Sequence, residues 1–213
     1  MRILGHPRDV AISLSSGGSG ASLGPAPRLV RWLGLVSPLS PSRDGVRELF
    51  VREPRMTRLW ERFSIDVGIA VERDARFFER RIFERMKEEG HRVLVVEDGD
   101  RYAIRAACIF QRQGSVGRIL ELLHDRTVAG MRGASRVLGL AVRELAREGA
   151  RTAEAWSFPH SGSFPMLLRH AFLPRTDGRE LVVRVGDAVD ETFASLASAR
   201  ESWYVSLLDA EAP

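Results

Sequence analysis

The chain has 213 residues, of which 44% are hydrophobic and 28% are charged, and its formal net charge is +4. These proportions are ordinary for a globular protein and exclude a disordered or collagen-like chain. Of the 32 basic residues only Lys87 is lysine, and the arginines are interspersed with acidic residues without a run of five like charges. We therefore expect no nucleic-acid partner.

The class of protein is narrowed further by its cysteine and histidine content and by the distribution of its apolar residues. The sequence has no stretch of about 18 consecutive apolar residues, so we expect no membrane partner. It also lacks the apolar N-terminal run of a secretory signal, so we expect a cytoplasmic protein. The single cysteine, Cys108, excludes an internal disulfide and a CxxC pair. The five histidines show no HxxxH spacing, so we predict no metal site.

Residues 1–45 differ in composition from the rest of the chain. Residues 13–24 are rich in serine and glycine, and four prolines follow them. Such composition is typical of flexible linkers. We predict short strands at residues 1–4 and 10–14, and we interpret the whole segment as a flexible arm or the remnant of a preceding lobe. Residues 46–213 are predicted to form one domain.

Helical spacing dominates the next part of the chain. Residues 44–64 carry apolar side chains at helical spacing on both sides of Pro54, which predicts a helix interrupted at that proline. Asp74 precedes a second amphipathic segment, residues 75–89, and Gly90 follows it. An aspartate N-cap and a glycine just past the last turn are typical helix boundaries.

The second half of the chain alternates strands and helices. Residues 91–97, 101–111 and 117–123 are apolar runs separated by turn signals, which predicts three sequential antiparallel strands. Residues 131–148 show the clearest helical periodicity, and a strand at residues 152–158 follows closely, which implies a parallel crossover. The remaining predicted elements are a helix, a strand, a helix and a final strand, at residues 163–172, 180–185, 189–200 and 203–208.

The loop at the start of the longest predicted helix has the composition of an anion-binding site. This loop and the first helical turn contain two arginines and three small residues, namely Arg126, Gly130, Arg132, Gly133 and Ala134. The first N–H groups of a helix lack internal partners, and the helix dipole favours negative charge there. The pattern therefore predicts a cradle for the pyrophosphate of a coenzyme.

The order of the elements resembles the GNAT superfamily of acyl-CoA N-acyltransferases over residues 46–213. The resemblance implies an α/β fold, with a mostly antiparallel central sheet, one parallel pair of splayed strands and flanking helices. The splayed strands would be residues 117–123 and 152–158. The resemblance also implies acetyl-CoA or another acyl-CoA as co-substrate. The backbone of Leu122 and Leu123 would then pair with the pantetheine arm, and residues 126–134 would hold the pyrophosphate.

Three local phrases are similar to a bacterial branch of that superfamily. They are VERDARF at residues 71–77, LRHAF at residues 168–172, and the C-terminal segment from Trp203 onward. Some members of this branch have two tandem lobes, which is why residues 1–45 could be the remnant of a first lobe.

The chain also departs from the pattern of the superfamily. The superfamily signature is Gln/Arg-x-x-Gly-x-Gly/Ala, whereas here Arg126 is followed by Gly130 and Gly133 at wider spacing. Leu167 stands where the family usually has the tyrosine that protonates the departing CoA thiolate, and Ala171 replaces a usual glycine. The pyrophosphate motif is therefore degraded.

Acyl transfer to an amine needs a group that removes a proton and a donor that stabilises the oxyanion. Glu121 in the first splayed strand and His124 just after it are candidate bases. The alternative for Glu121 is a side chain that simply faces solvent, and the alternative for His124 is a loop histidine that caps a backbone group. His160 could contact the acceptor or replace the missing tyrosine, or it could simply be a turn residue. By analogy with the family, Asp209 and Glu211 could border the acceptor cleft, and solvated terminal carboxylates are the alternative.

The sequence leaves two functions open. The first is an acyl-CoA-dependent N-acyltransferase that moves an acetyl group to a small amine or an amino sugar by direct attack on the thioester. The second is a catalytically degraded binding or assembly module, serving as half of a two-lobed protein or as a homodimer. The order of strand, cradle and strand favours the first, and the departures from the signature favour the second.

Overall fold

The computed structural model describes residues 45–99, 103–174 and 191–210, together with the backbone of three short strands outside these ranges. The strands are β1 (Arg2–Ile3), β2 (Arg8–Ser13), β3 (Val46–Leu49), β4 (Arg92–Glu97), β5 (Ile104–Gln113), β6 (Val116–His124), β7 (Thr152–Ser157), β8 (Leu173–Pro174) and β9 (Val182–Val183). The helices are α1 (Arg55–Phe63), α2 (Ala75–Phe78), α3 (Met86–Glu89), α4 (Val128–Arg147), α5 (Phe164–Arg169), α6 (Glu191–Ser198) and α7 (Leu207–Ala210). None of the helices in the described ranges has the length and apolarity that a bilayer crossing requires.

Seven strands form one sheet in the order β3-β4-β5-β6-β7-β2-β8, and β1 pairs separately with β9. Strands β6 and β7 run parallel, and the other neighbours within the described sheet are antiparallel. Helix α4 connects β6 to β7. The structure thus confirms the predicted α/β fold with one parallel pair in a mostly antiparallel sheet.

An apolar layer covers each face of this sheet. On one face Val137 and Leu138 of α4 pack in the same buried cluster as Phe110 of β5, and we call this the α4-side layer. On the other face Leu59 of α1 packs with Leu123 of β6, and we call this the α1-side layer. The regular apolar stripe of α4 explains its position, since these residues recur on one side of the helix and are fully buried.

The parallel pair β6–β7 is joined only over part of its length. Pairing begins at Val116 with Thr152 and ends at Ile119 with Ala155. Strand β6 nevertheless continues for five more residues, to His124, while β7 ends at Ser157. The two strands therefore diverge at their C-terminal ends, as the resemblance implied.

Strand β3 corrects the prediction for residues 44–64. Val46–Leu49 is a strand, not a helix, and it pairs antiparallel with β4 from Val96 to Val93. Helical spacing over four residues is a weak signal, and edge pairing with a buried strand overrides it. Helix α1 begins after Pro54 as predicted, with Pro54 as its N-cap residue.

Helix boundaries were predicted with mixed success. Asp74 caps α2 by accepting a hydrogen bond from the Phe77 N–H at 2.7 Å, and Gly90 ends α3 in the left-handed region at φ 70°. A π-helical segment, Glu79–Phe83, interrupts the predicted continuous helix. Helix α4 begins at Val128, not at residue 131, so Gly130 lies in its first turn and not in the loop.

The strands predicted near the two ends of the chain have different outcomes in the structure. The predicted final strand at residues 203–208 is wrong, because Trp203 makes only one bridge, to Ile69, and helix α7 follows. Much of residues 1–45 lies outside the described residues, but strands β1 and β2 fall where short strands were predicted. The predicted strand at residues 180–185 lies mostly outside the described residues. The division at residue 45 remains a prediction.

Candidate functional site

The gap between the diverging ends of β6 and β7 is the candidate site. The Asp125 N–H donates to the Arg105 carbonyl oxygen at 2.9 Å, toward β5. Backbone direction alternates along a strand, so Leu123 also faces β5, where it is opposite Ala107. The backbone groups of Leu122 and His124 therefore point the other way, toward the gap. Of the two leucines predicted to pair with pantetheine, Leu122 has the suitable direction.

The N-terminus of α4 opens at the same end of the sheet and is organised by two polar side chains. The Thr127 hydroxyl accepts a hydrogen bond from the Gly130 N–H at 3.0 Å, and Thr127 itself donates its N–H to Asp125 Oδ1 at 3.1 Å. The exposed residues Val128 and Ala129 are the first-turn residues whose N–H groups these two caps leave untouched. These are the groups that an anion at this helix end would meet.

Asp125 links this helix end to the sheet. Arg105 of β5 donates to Asp125 Oδ2 at 2.7 Å, and Thr127 donates to Oδ1. Burial would raise the pKa of Asp125, but the hydrogen bonds from Thr127 and Arg105 outweigh it and lower that pKa. The carboxylate is therefore a fixed anionic support for the turn, and Gly130 is required beside it, because a Cβ there would lie 2.4 Å from the Asp125 carbonyl oxygen.

The predicted cradle residues separate into buried and exposed groups. Gly133 and Ala134 are buried, and a Cβ on Gly133 would meet Ala106 at 3.1 Å, so this glycine lets α4 pack closely on the sheet. Arg126 and Arg132 are exposed. Arg126 forms an ion pair with Asp66, which lies just beyond α1. The surface presented at this end of α4 therefore consists of Arg126 to Ala129 rather than the two glycines.

Glu121 is buried, so the alternative interpretation that its side chain simply faces solvent is wrong. Its carboxylate accepts hydrogen bonds from Arg73 Nε at 3.1 Å, from the Ser206 hydroxyl at 3.1 Å and from the Tyr204 hydroxyl. Arg73 is fully buried and also donates to Asp209 Oδ2 at 2.7 Å. We call Arg73, Glu121, Tyr204, Ser206 and Asp209 the Arg73 cluster.

Burial and charge act against each other in the Arg73 cluster. Burial raises the pKa of Glu121 although the Arg73 charge opposes it, and burial also raises the pKa of Tyr204. Burial would lower the pKa of Arg73, but the carboxylates of Glu121 and Asp209 outweigh it and raise that pKa. The guanidinium also lies over the Trp60 ring, 4.8 Å from its centroid. Arg73 is thus held as a cation inside the α1-side layer.

The two candidate histidines lie at the ends of the two diverging strands, His124 at the end of β6 and His160 just beyond β7. His124 is the last residue of β6, not a loop residue, and its ring contacts Phe63 edge-on at 5.8 Å. Its Nδ1 lies 2.9 Å from the Asp125 carbonyl oxygen, and its Nε2 lies 3.3 Å from the Gly162 carbonyl oxygen. A neutral imidazole has one N–H and can donate to only one of these carbonyls.

His160 follows β7 and is exposed. Its Nε2 donates to the Trp203 carbonyl oxygen at 3.0 Å, and its ring stacks on Phe158 with centroids 5.3 Å apart. Leu167, the residue at the family's usual tyrosine position, is buried in the α4-side layer. Three buried serines near His160 bond to one another, with the hydroxyl of Ser163 2.9 Å from Ser161 and 3.1 Å from Ser157.

Sequence reasoning missed two groups of residues. Arg73 and Tyr204 surround Glu121, and Asp125 and Thr127 organise the start of α4. Arg73 lies 48 residues from Glu121 and 136 from Asp209, so no spacing pattern joins them. The only available signal for α4 was local, since Asp125-x-Thr127 is a typical capping sequence before a helix. Among the residues that the structure describes, no group of three or more His, Cys, Asp or Glu side chains could hold a metal ion.

Comparison with known proteins bears on the fold. No protein-family model matches the sequence, and no curated protein matches it significantly. Saccharomyces cerevisiae N-myristoyltransferase, solved with bound myristoyl-CoA, is similar over 83% of this chain and 47% of its own, with a TM-score of 0.55 and 14% identity. A GCN5-related N-acetyltransferase from Sphaerobacter thermophilus matches over 80% of this chain and 49% of its own, with a TM-score of 0.49 and 18% identity.

This chain thus spans about half the length of both proteins. At 14% identity the likeness to the N-myristoyltransferase establishes only the fold, and that fold agrees with the element order and the diverging parallel strands of this chain. The chain therefore has a GNAT-type fold.

Proposed function

We propose that the protein is an acyl-CoA-dependent N-acyltransferase that transfers an acetyl group to a small amine or an amino sugar. The observation that carries the proposal is the early end of β6–β7 pairing at Ile119, which leaves the backbone of Leu122 and His124 facing an edge that β7 does not pair with. An extended pantetheine arm with amide groups can pair with such an edge as an added strand would. The yeast N-myristoyltransferase of the same fold was solved with myristoyl-CoA bound.

The N-terminus of α4 would receive the pyrophosphate. Val128 and Ala129 offer N–H groups, and the neighbouring Arg126 and Arg132 offer exposed side chains. Binding would require Arg126 to turn away from Asp66, an exposed pair that costs little to break. In this assignment Gly130, Gly133 and Ala134 shape and seat the helix, and they do not touch the phosphates.

Among the three catalytic candidates we assign the proton acceptor to His124. The acceptor nitrogen attacks the thioester carbonyl carbon, the C–N bond forms, and the C–S bond breaks to release CoA thiolate, which takes up the second proton that the nitrogen loses. His124 would take the proton that the ammonium loses, and it is suited to do so because it stands at the end of the open edge. Glu121 is enclosed by its partners, and His160 would contact the acceptor amine from the other side of the gap.

One observation favours the alternative, a binding or assembly module without catalysis. The 3.3 Å contact from His124 Nε2 to the Gly162 carbonyl oxygen joins the end of β6 to the loop after β7, across the opening. An acyl-CoA would have to displace the His124 contact.

Acetyl-CoA binding tests the proposal. At about 100 times its Kd, acetyl-CoA should raise the free energy of unfolding by about 2.7 kcal/mol, which for a chain of this size is a rise in Tm of roughly 5–10 °C. The variant Ala129→Glu should abolish the rise, because its carboxylate would repel the pyrophosphate. The same carboxylate is favourable at a helix N-terminus, so lost binding could not be attributed to unfolding.

A matched control carries the same added charge elsewhere. Gln113→Glu places a carboxylate on the exposed hairpin at the far end of β6, and its acetyl-CoA shift should equal that of the wild type. No shift in the wild-type protein at millimolar acetyl-CoA would contradict the enzyme proposal and favour the binding module. An equal loss of the shift in both variants would contradict the assignment of the pyrophosphate to α4.

A further inference from the structure

Strand β6 contains an irregularity where its pairing with β7 stops. Ile119 is opposite Phe110 on β5, but the next paired residue of β6 is Glu121, opposite Ile109. Leu120 is therefore the extra residue of a β-bulge. A bulge puts two successive side chains on the same face of a sheet, and here Leu120 and Glu121 both lie on the α1 side.

Hydrophobic patterning cannot decide the position of this bulge. Both faces of the sheet are covered by apolar layers, and the residues around Glu121 are leucines. In the structure Leu122 lies in the α4-side layer and Leu123 in the α1-side layer. Without the bulge the two leucines would exchange faces and remain buried. A slip of one residue is strongly resisted only where the two faces of a strand differ in polarity.

Glu121 is the residue for which the two faces differ. On the α1 side it meets Arg73, Tyr204 and Ser206, which supply donors to both carboxylate oxygens. On the opposite face the layer around β6 consists of apolar side chains from β5 and α4, such as Phe110 and Val137. A carboxylate buried there would lose its partners, which is strongly unfavourable.

We infer that the Arg73–Glu121 pair specifies the register of the second half of β6 and so selects which backbone groups face the gap. Arg73 is a positioning residue in this inference, since it acts through Glu121. Buried polar groups are best known in this role, as determinants of register rather than as sources of stability. The register itself does not depend on the function, but its consequence for acyl-CoA rests on the proposed function.

The register determines whether Leu122 or Leu123 faces the gap. In the structure Leu123 is in a hydrogen-bonded position opposite Ala107, and Leu122 faces the gap. Removal of the bulge would reverse these directions, because backbone direction alternates from one residue to the next. Asp209 connects this choice to the C-terminal helix, since its carboxylate holds Arg73 from the other side at 2.7 Å.

The double variant Arg73→Met, Glu121→Leu tests the inference. Replacing a buried ion pair by apolar residues of similar size often preserves stability. Asp209 loses Arg73 but keeps the Ser206 N–H as a donor at 2.9 Å, so a folded protein is expected. Amide hydrogen exchange, resolved by residue, is measured without any ligand. In the wild type, Leu123 should be protected, and the Leu122 N–H should exchange faster than that of Leu123 because it lies beyond the β6–β7 ladder. In the double variant the protection of Leu123 should fall at least tenfold and that of Leu122 should rise. An unchanged pattern in the folded variant would overturn the inference.

Two further variants separate register from general loosening. Glu154→Gln breaks the 2.8 Å pair between Arg118 and Glu154, which joins the regularly paired half of the same two strands. This variant should leave the amide exchange of Leu122 and Leu123 unchanged. If it also reversed their protection, the inference would be overturned. Glu121→Gln keeps a side chain that can accept hydrogen bonds on the α1 side, so it should retain the wild-type exchange pattern.

If the double variant fails to fold, Tyr204→Phe replaces it. This change removes one hydroxyl from the Arg73 cluster and keeps the ring packed against Phe63. Exchange at Leu123 should rise several-fold while exchange at Ile119, in the paired half, stays constant. Equal exchange at Leu123 in the wild type and this variant would overturn the inference.

Acetyl-CoA binding is a separate readout. In the folded double variant, or in Tyr204→Phe if it is used, acetyl-CoA affinity should fall in parallel with the protection of Leu123, by at least tenfold in the double variant. An unchanged affinity together with a reversed exchange pattern would overturn the link between register and binding. If the wild type binds no acetyl-CoA but the exchange results are as expected, the proposed function fails and the register assignment stands.

Discussion

Replacement of Gly130 by alanine should destabilise the protein, whereas the same replacement at Gly133, one turn further along α4, should be nearly neutral. Both glycines lie in one helix, where alanine is preferred over glycine by at most about 1 kcal/mol. They differ in what a new Cβ would meet. At Gly130 it would lie 2.1 Å from Asp125 Oδ1 and 2.4 Å from the Asp125 carbonyl oxygen, whereas at Gly133 the nearest atom is the Ala106 Cβ at 3.1 Å.

The magnitude follows from these distances. Overpacking against backbone costs roughly 1–3 kcal/mol. Displacing Asp125 also disturbs the Thr127 cap, and loss of an N-cap costs about 0.5–2 kcal/mol. After the gain in helix propensity, Gly130→Ala should lose about 2 kcal/mol. At Gly133 a shift of a few tenths of an ångström relieves the contact, and the net change should stay within about 1 kcal/mol.

Urea unfolding followed by circular dichroism measures both variants against the wild type. The expected result is a lower midpoint for Gly130→Ala alone, with an unchanged slope. If Gly130→Ala is as stable as Gly133→Ala, the close packing of α4 against Asp125 is not what requires glycine, and the reasoning is refuted.

Three further predictions concern single side chains. The hydrogen bond from Arg55 lowers the pKa of Glu53 from 4.5 to about 2. The unfolded state therefore takes up the proton first, so stability should fall as the pH drops from about 5 toward 2, and urea melts of Glu53→Gln should show a smaller fall. Burial raises the pKa of the Cys108 thiol, so a thiol reagent at pH 8 should label it only after unfolding, and rapid labelling of the native protein would contradict its burial. Asp74→Ala should lower the free energy of unfolding by about 1 kcal/mol, because the Phe77 N–H loses its capping acceptor. Glu72 is exposed and serves as the control, and an equal loss of stability in Glu72→Ala would argue against the cap.

Much of the fold could be predicted from the sequence because local signals agree with the tertiary structure. The apolar stripe of α4, the Asp74 cap and Gly90 are determined by interactions within a few residues. The three sequential strands β4, β5 and β6 are joined by short turns, so their pairing also follows from neighbours in the chain. These elements, in this order, were sufficient to predict the GNAT-type fold.

The tertiary structure alone decided the features that depend on distant partners. Val46–Leu49 is a strand because β4 offers it an edge. The Thr127 cap of α4 is a local signal, but the tie from Asp125 to Arg105 of β5, which fixes this helix end on the sheet, depends on a distant partner. Glu121 is buried because Arg73, far along the chain, supplies a charge on one face of the sheet, and that long-range pair has no counterpart in any local pattern.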